Sequence, residues 1–378
     1  MSSTVIAGYA RSPFTLAGKG ALARTRPDDL AAAVVKELVA RTGVNPADIE
    51  DLLVGCAFPE GEQGFNVARM IGLIAGLPLS VGGATINRFC GSSMTSVHYA
   101  AGQIALGAGQ AFLCAGVESM SRVPMGGYNP MPNAALAAQS AAYIGMGDTA
   151  ENIAKKWGLS REAQEAFALA SQQKAAAAIA AGHFSDEIVA IATKAGLVDA
   201  DGTPRPGTTA EALASLKPAF NAAGTVTAGT ASPLTDGAAA VLVTSEDYAR
   251  DNGLPILARI KAVAVSGCAP EIMGIGPVEA SRKAMARAGI TVADLSVIEL
   301  NEAFASQSLA CIHDLGLDPA KINLDGGAIA IGHPLGATGA RIVGKAASLL
   351  KRTGGKYALA TQCIGGGQGI ATVLEAVQ

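Results

Sequence analysis

The chain is short of charge. Asp, Glu, Lys and Arg make up only 16% of its 378 residues, and the formal net charge is −3. That balance excludes the basic footprint of a nucleic-acid-binding protein. Aromatic residues are also sparse, at 4% with a single Trp. Long apolar runs are missing: stretches such as Gly326 to Ile331 are broken by Gly, and a membrane helix needs roughly 20 apolar residues. Met1-Ser2-Ser3-Thr4 leads straight into the strand-like Val5-Ile6-Ala7-Gly8-Tyr9 without a basic or long apolar leader, so a cytoplasmic location is expected. Six Cys are too few for a disulfide framework in a chain of this length, and as reduced thiols each is either core filler or chemistry. Hydrophobic residues reach 50%, which excludes intrinsic disorder. Gly is what the chain has in excess, with 46 residues against roughly 7% in average usage. The profile is that of a well-buried protein of two or more domains, expected to form an oligomer.

Strand and helix patterns alternate along the first third. Pro27-Asp28-Asp29 opens an amphipathic helix with Leu30, Val34, Leu38 and Val39 at helical spacing, closed by Gly43. Leu52 to Ala57 reads as a buried strand, 66–75 as a helix, 84–87 as a strand, 92–106 as a helix and 111–116 as a further strand. This alternation predicts an α/β fold with helices covering a sheet. From Ser119 to about 233 the pattern changes: a Met-, Pro- and Gly-rich stretch precedes two helices and a polar loop at 199–209, read as an insertion over the first α/β half. The last third returns to the opening order: strands at 258–265 and 297–300, helices at 277–288, 303–315 and 336–351, a strand at 322–324, and closing strands at 357–361 and 369–374. The repeated order points to an internal duplication.

Three reactive side chains sit among glycines. Cys90, in Asn87-Arg88-Phe89-Cys90-Gly91-Ser92-Ser93, follows a strand and opens a helix, where the helix dipole favours thiolate. His333, in Gly332-His333-Pro334, is suited to proton exchange near neutral pH. Cys363 precedes Ile364-Gly365-Gly366-Gly367, where glycines let backbone N–H groups approach a ligand as an oxyanion hole requires. The remaining cysteines, Cys56, Cys114, Cys268 and Cys311, are read as core residues, and His98, His183 and His313 as structural or surface residues. No Cys or His spacing indicates a metal site, and no phosphate-binding loop is present. Spacing alone does not decide whether Cys90 and His333 work together.

The segments Asn87 to Met94, Gly116 to Ser121, Asn301 to Ala305, Gly326 to Gly339 and Cys363 to Gly367 resemble, in order and across essentially the whole chain, those of the thiolases. The resemblance implies two duplicated βαβαβαββ halves in a five-layered αβαβα sandwich: an N-terminal domain at 1–254 carrying an inserted loop domain at about 119–233, and a C-terminal domain at 255–378. It implies that Cys90 carries the acyl group, His333 accepts its proton, and Cys363 acts as acid/base on the acetyl-CoA carbanion. Asn301 holds a water that forms one oxyanion hole with His333, and the N–H groups of Cys90 and Gly365 form the second. Ser232 and Arg205 match positions that contact coenzyme A, Met146 and Met273 resemble the methionines that line the acyl pocket, and Phe304 is a further substrate- or CoA-binding residue. Coenzyme A is then a substrate, and no cofactor or metal is implied. The implied assembly is a homodimer or homotetramer, with a hydratase/dehydrogenase subunit as a further candidate partner.

Three positions depart from biosynthetic acetoacetyl-CoA thiolases. Gly145 stands where a His is usual, Thr230 where an Asn is usual, and the 125–142 loop has no Lys, Arg or His. These departures favour a degradative 3-ketoacyl-CoA thiolase and a dimer. The alternatives are a biosynthetic acetyl-CoA acetyltransferase, a ketosynthase of the same fold (which uses one Cys with two His, and Cys363 stands where the second His would be sought), and a non-catalytic acyl-CoA-binding scaffold.

Overall fold

The computed structural model describes residues 3–377. Met1 and Ser2, which belong to the leader reading, and Gln378, the outer bound of the second domain, lie outside the described residues. The first half runs β1 (Thr4–Arg11), α1 (Pro27–Thr42), β2 (Ile49–Gly55), α2 (Val67–Ile74), β3 (Gly82–Ile86), α3 (Ser92–Ala105) and β4 (Ala111–Ser119). After α4 (Met146–Lys156) and α5 (Arg161–Ala180) comes β5 (Thr235–Ser245). The second half runs β6 (Ala258–Gly267), α6 (Gly276–Ala288), β7 (Leu295–Leu300), α7 (Ala305–Leu315), α8 (Leu335–Thr353), β8 (Tyr357–Ile364) and β9 (Gln368–Glu375).

Local chemistry accounts for the element ends. Pro27 starts α1 with its ring already at helical φ, Asp28 and Asp29 face the positive end of the dipole, and Gly43 closes it at φ 72. Ser160 caps α5 through the Ala163 N–H at 3.2 Å.

The strands form one path, β7-β8-β9-β6-β1-β5-β4-β2-β3. Its two halves meet only where Val5 and Ile6 of β1 pair with Arg259 and Ala258 of β6. Alternation along the strands separates the layers. Val5, Ala7, Leu52, Val54 and Leu242 pack with α1 and α2 on one side. Ile6, Leu53, Val241 and Val243 face the other way, into a cluster with Met94 and Val97 of α3, Ile342 and Val343 of α8, and Val297, Ala358, Ile370 and Leu374 of the second half. A third cluster puts α6 and α7 outside the second half. Helices α3 and α8 therefore lie between two sheet halves, giving five layers. Helix α8 is buried from Leu335 through Ala347, as a helix covered on every side must be. Its small residues permit the approach: a Cβ on Gly116 of β4 would stand 2.1 Å from the Gly336 carbonyl.

Two elements differ from the sequence expectation. The strand expected at 322–324 is reduced to a single bridge between Ile298 and Ile322. Asn323 turns the chain at φ 46, and its side-chain amide substitutes for a strand neighbour by accepting from the Leu300 N–H (3.0 Å) and donating to the Leu300 carbonyl (2.8 Å). Strand β5 is not among the expected strands. Its Gly-Ala-Ala-Ala segment has helical propensity, but burial along its whole length between β1 and β4 sets its conformation. Among the described residues, the named strands between β4 and β5 are those of a two-stranded hairpin, Ile191–Thr193 with Gly196–Val198, that stands apart from the main sheet. Among the described residues no helix is long and apolar enough to cross a membrane.

Candidate active site

Cys90 lies in a short turn between β3 and α3. Asn87 Oδ1 accepts the Phe89 N–H at 2.8 Å, and Phe89 adopts φ 44, a conformation costly for a bulky residue. Beyond Cys90 there is no space for a side chain at 91, where a Cβ would stand 2.5 Å from Ile364. The Cys90 carbonyl accepts from Gln362 Nε2. Cys90 is 9% exposed. Burial raises its pKa to about 11 against the N–H groups of Gly365 and Cys90 itself, which favour the anion. Burial thus outweighs the groups that favour the anion, and the raised pKa runs against the thiolate expected from the helix dipole.

His333 follows Gly332, whose φ is 104 and whose missing Cβ would meet Thr235. The Thr235 hydroxyl oxygen accepts the His333 backbone N–H at 3.1 Å. His333 Nδ1 lies 2.6 Å from Thr338 Oγ1, and that hydroxyl donates to the Pro334 carbonyl at 3.1 Å. Its oxygen is therefore the acceptor, which assigns the proton to Nδ1 and leaves the lone pair on Nε2. Nε2 is 3.4 Å from Asn301 Nδ2. Asn301 is fully buried just past β7, with its N–H bonded to the Thr361 carbonyl at 3.0 Å. Removal of the acceptor in Thr338→Val frees the imidazole to change tautomer. We expect kcat/KM to fall about 10- to 100-fold, with Thr338→Ser retaining activity. Equal rates for Thr338→Val and the wild type in a steady-state thiolysis assay would contradict this assignment.

Burial, with Arg341 second, lowers the His333 pKa to about 3. Burial and Arg88 do the same for His98, whose Nε2 is 2.8 Å from Thr372 Oγ1. Both rings are neutral in the fold, whereas an unfolded chain protonates them near 6.5. The unfolded state therefore binds more protons between about 6.5 and 3, and stability falls as pH drops through that window. The thermal midpoint should decline on acidification from neutrality, and His98→Gln should flatten the decline. A variant with the wild-type slope would refute the buried-neutral account.

Cys363 is fully buried near the end of β8 and packs with Ala150, Ala231, Met273 and Phe304, with Met146 against the same cluster. Its pKa lies well above the ordinary value, first through burial and next through the nearby Cys90. At the neighbouring turn, a Cβ on Gly365 would stand 3.5 Å from Met146 Sδ and 3.8 Å from Phe89. Ser232 is half-buried, with its N–H on the Ala303 carbonyl at 3.0 Å. Cys90, Cys363, Gly365, Met146, Met273, Phe304 and Ser232 thus come together, with Asn301 and His333 adjoining each other at the ends of β7 and the turn before α8. Arg205 stands apart: it is exposed, and only its backbone is fixed, by Gln172 Oε1 at 2.8 Å. A cavity of about 430 Å³ lined by Tyr9, Arg41, His183, Glu187 and Lys345, among others, includes none of these residues.

Buried acids organise the loops. Glu302 accepts from Ser171 (2.6 Å), Asn323 (2.7 Å) and the Ile329 N–H (3.1 Å), joining the Asn301 turn to the segment before His333. Glu118 does the same on the Cys90 side. Neither role was read from the sequence, although a carboxylate at the end of an apolar strand, as in Ala-Gly-Val-Glu, was the available signal.

The family models described as "Thiolase, N-terminal domain" and "Thiolase, C-terminal domain" match residues 4–247 and 254–376. The chain belongs to the thiolase family. This thiolase is 47% identical over 389 residues to a 3-ketoacyl-CoA thiolase of Bacillus subtilis, covering 99% of this chain and 100% of the relative. It is 50% identical to a 3-ketoacyl-CoA thiolase of Pseudoalteromonas translucida, covering 100% of both chains. Among solved structures it is similar to the human mitochondrial 3-ketoacyl-CoA thiolase in complex with CoA, with a TM-score of 0.92, 38% identity, and coverage of 100% of this chain and 98% of that one. The five-layered α/β arrangement of this thiolase is accordingly the thiolase fold.

Proposed function

We propose that this thiolase cleaves 3-ketoacyl-CoA with coenzyme A to acetyl-CoA and a shortened acyl-CoA through an acyl-Cys90 intermediate. Cys90 Sγ attacks the 3-keto carbon as its proton passes to His333 Nε2. The bond between C2 and C3 breaks, its electron pair stays on C2 as the acetyl-CoA enolate, and Cys363 supplies the proton that makes acetyl-CoA. Coenzyme A then attacks the acyl-Cys90 thioester, with the Cys363 thiolate taking its thiol proton, and Cys90 leaves as a thiolate that takes back the proton held on His333. Both steps place negative charge on an oxygen. The N–H groups of Cys90 and Gly365 serve one, and His333 with a water held by Asn301 serves the other. Loss of such a donor typically costs about 100- to 1,000-fold. The observation that carries this reading is the meeting of the Cys90 turn with the end of β8, where Gln362 donates to the Cys90 carbonyl and position 91 has no room for a side chain against Ile364, beside the buried Cys363 thiol.

The names of the relatives and the small Gly145 beside Met146 support the degradative subtype over the biosynthetic one. Met146, Met273 and Phe304 would line the acyl pocket, with Ser232 and Arg205 on coenzyme A, which enters as a substrate. Rates of thiolysis across ketoacyl chain lengths test the subtype. Medium chains should be cleaved at least as fast as acetoacetyl-CoA, and a strong preference for acetoacetyl-CoA would overturn it. The domain division at 254/255, with the insertion at 119–233, belongs to the same reading, supported by the break between the two family models. A cytoplasmic homodimer completes it. Strand β3 is a sheet edge, next to exposed Leu79 and the exposed Leu73 and Ile74 of α2. An open edge with apolar neighbours is suited to pairing with a second copy.

A further inference from the structure

Glu118, at the end of β4, is 1% exposed, and among the described residues no Lys, Arg or His pairs with it. Its carboxylate accepts from the Ala57 N–H (2.8 Å), the Phe58 N–H (3.3 Å), Gln63 Nε2 (2.9 Å) and the Gly336 N–H (2.9 Å). Cys56 Sγ lies 3.8 Å away. Gln63 is held in turn, with Oε1 accepting the Ser119 N–H at 2.7 Å and Nε2 donating to the Phe58 carbonyl at 2.8 Å.

The elements joined in this way are those that carry the chemistry. Ala57 shares a cluster with Cys90 and Leu335, and Phe58 packs on it. The Phe58 and Phe89 ring centroids are 5.9 Å apart. Gly336 is in the first turn of α8, three residues past His333, so the carboxylate also faces the positive end of that helix. An uncompensated buried carboxylate is costly, and four donors aimed at it fix the position of every group they belong to.

We propose that Glu118 is a positioning residue, fastening the loop beneath Cys90 to the turn that carries His333 and placing its carboxylate beside the thiol through Ala57. This rests on the acyl-cysteine reading of Cys90. The Glu118 carboxylate holds the N–H of Ala57, which packs with Cys90, while Cys363 approaches from β8 and His333 lies two residues ahead of the clustered Leu335. Glu118 opposes ionisation of the thiol in the same direction as burial, so proton removal waits for the base.

Two variants separate the positioning and the charge. Glu118→Gln removes the charge and turns an amide NH2 toward N–H donors. Glu118→Asp keeps the charge but withdraws it by one methylene. Alkylation of Cys90 by iodoacetamide against pH, followed on the Cys90 peptide by mass spectrometry, reads the thiol without any acyl-CoA and is informative even if the thiolase mechanism fails. For Glu118→Gln the alkylation midpoint should fall on the order of one pH unit, with kcat/KM reduced about tenfold or more. For Glu118→Asp the midpoint should stay in place while kcat/KM falls similarly. Wild-type kcat/KM in either variant overturns the positioning role, and an unmoved midpoint in Glu118→Gln overturns the charge role. If Glu118→Gln is recovered unfolded, Glu118→Asp carries the test, and full activity there refutes the proposal.

Discussion

Replacing Cys90 by Ala is expected to remove thiolysis while leaving a folded protein that still binds coenzyme A. The side chain belongs to a small cluster with Ala57 and Leu335, so loss of its sulfur should cost about 1 kcal/mol of stability. The kinetic loss is of another order. Without the nucleophile no covalent intermediate divides the reaction, and removing a nucleophile from an assembled site typically lowers kcat by about 10⁴-fold or more. Cys363 is no substitute. It is fully buried in an apolar cluster with Met273 and Phe304. Chromatographic assay of 3-ketoacyl-CoA consumption, with calorimetric titration of coenzyme A as the fold control, checks this. Turnover near the wild-type rate would place the nucleophile elsewhere.

Cys363→Ala should separate the two halves of the reaction. Acetyl transfer from acetyl-CoA to Cys90 expels a thiolate, whose conjugate acid has a pKa near 8.5 and which leaves without strong acid assistance. Carbon–carbon cleavage expels the enolate of acetyl-CoA, a far stronger base that needs a proton delivered in place. In the proposed mechanism the raised pKa of Cys363, caused first by burial, keeps that proton on the sulfur until the enolate forms. The variant should therefore still form acetyl-Cys90 from acetyl-CoA, while its thiolysis rate falls about 10²- to 10⁴-fold. Peptide mass spectrometry and a thiolysis assay on one preparation give both numbers, and full thiolysis would remove Cys363 from its acid/base role.

Much of the architecture is legible in local sequence because local physics decides it. Pro27, Asp28, Asp29 and Gly43 mark both ends of α1, and the apolar run at 111–116 becomes the fully buried β4. The Gly excess is legible only in part. Glycines flank Cys90, His333 and Cys363, but the close approach of Gly116 to the Gly336 carbonyl depends on a helix more than 200 residues away in the chain. Strand β5 was hidden because its alanines carry no strand preference until β1 and β4 enclose them. The raised pKa of Cys90 was hidden for a related reason. A helix dipole is visible in sequence order, whereas desolvation is set by distant groups such as Leu335. Glu118 and Thr338 act through partners far along the chain or through a hydroxyl whose direction only the fold determines. Arg205 marks the opposite limit, since it is exposed and its side chain makes no hydrogen bond or ion pair among the described residues.

The central claim is that carbon–carbon cleavage proceeds through Cys90. Its most direct test is a single turnover with 3-ketooctanoyl-CoA and no free coenzyme A, quenched and analysed by peptide mass spectrometry. The account predicts a hexanoyl group on the Cys90 peptide and one equivalent of acetyl-CoA released. Acetyl-CoA released with no adduct, or a hexanoyl group on any residue other than Cys90, would contradict it.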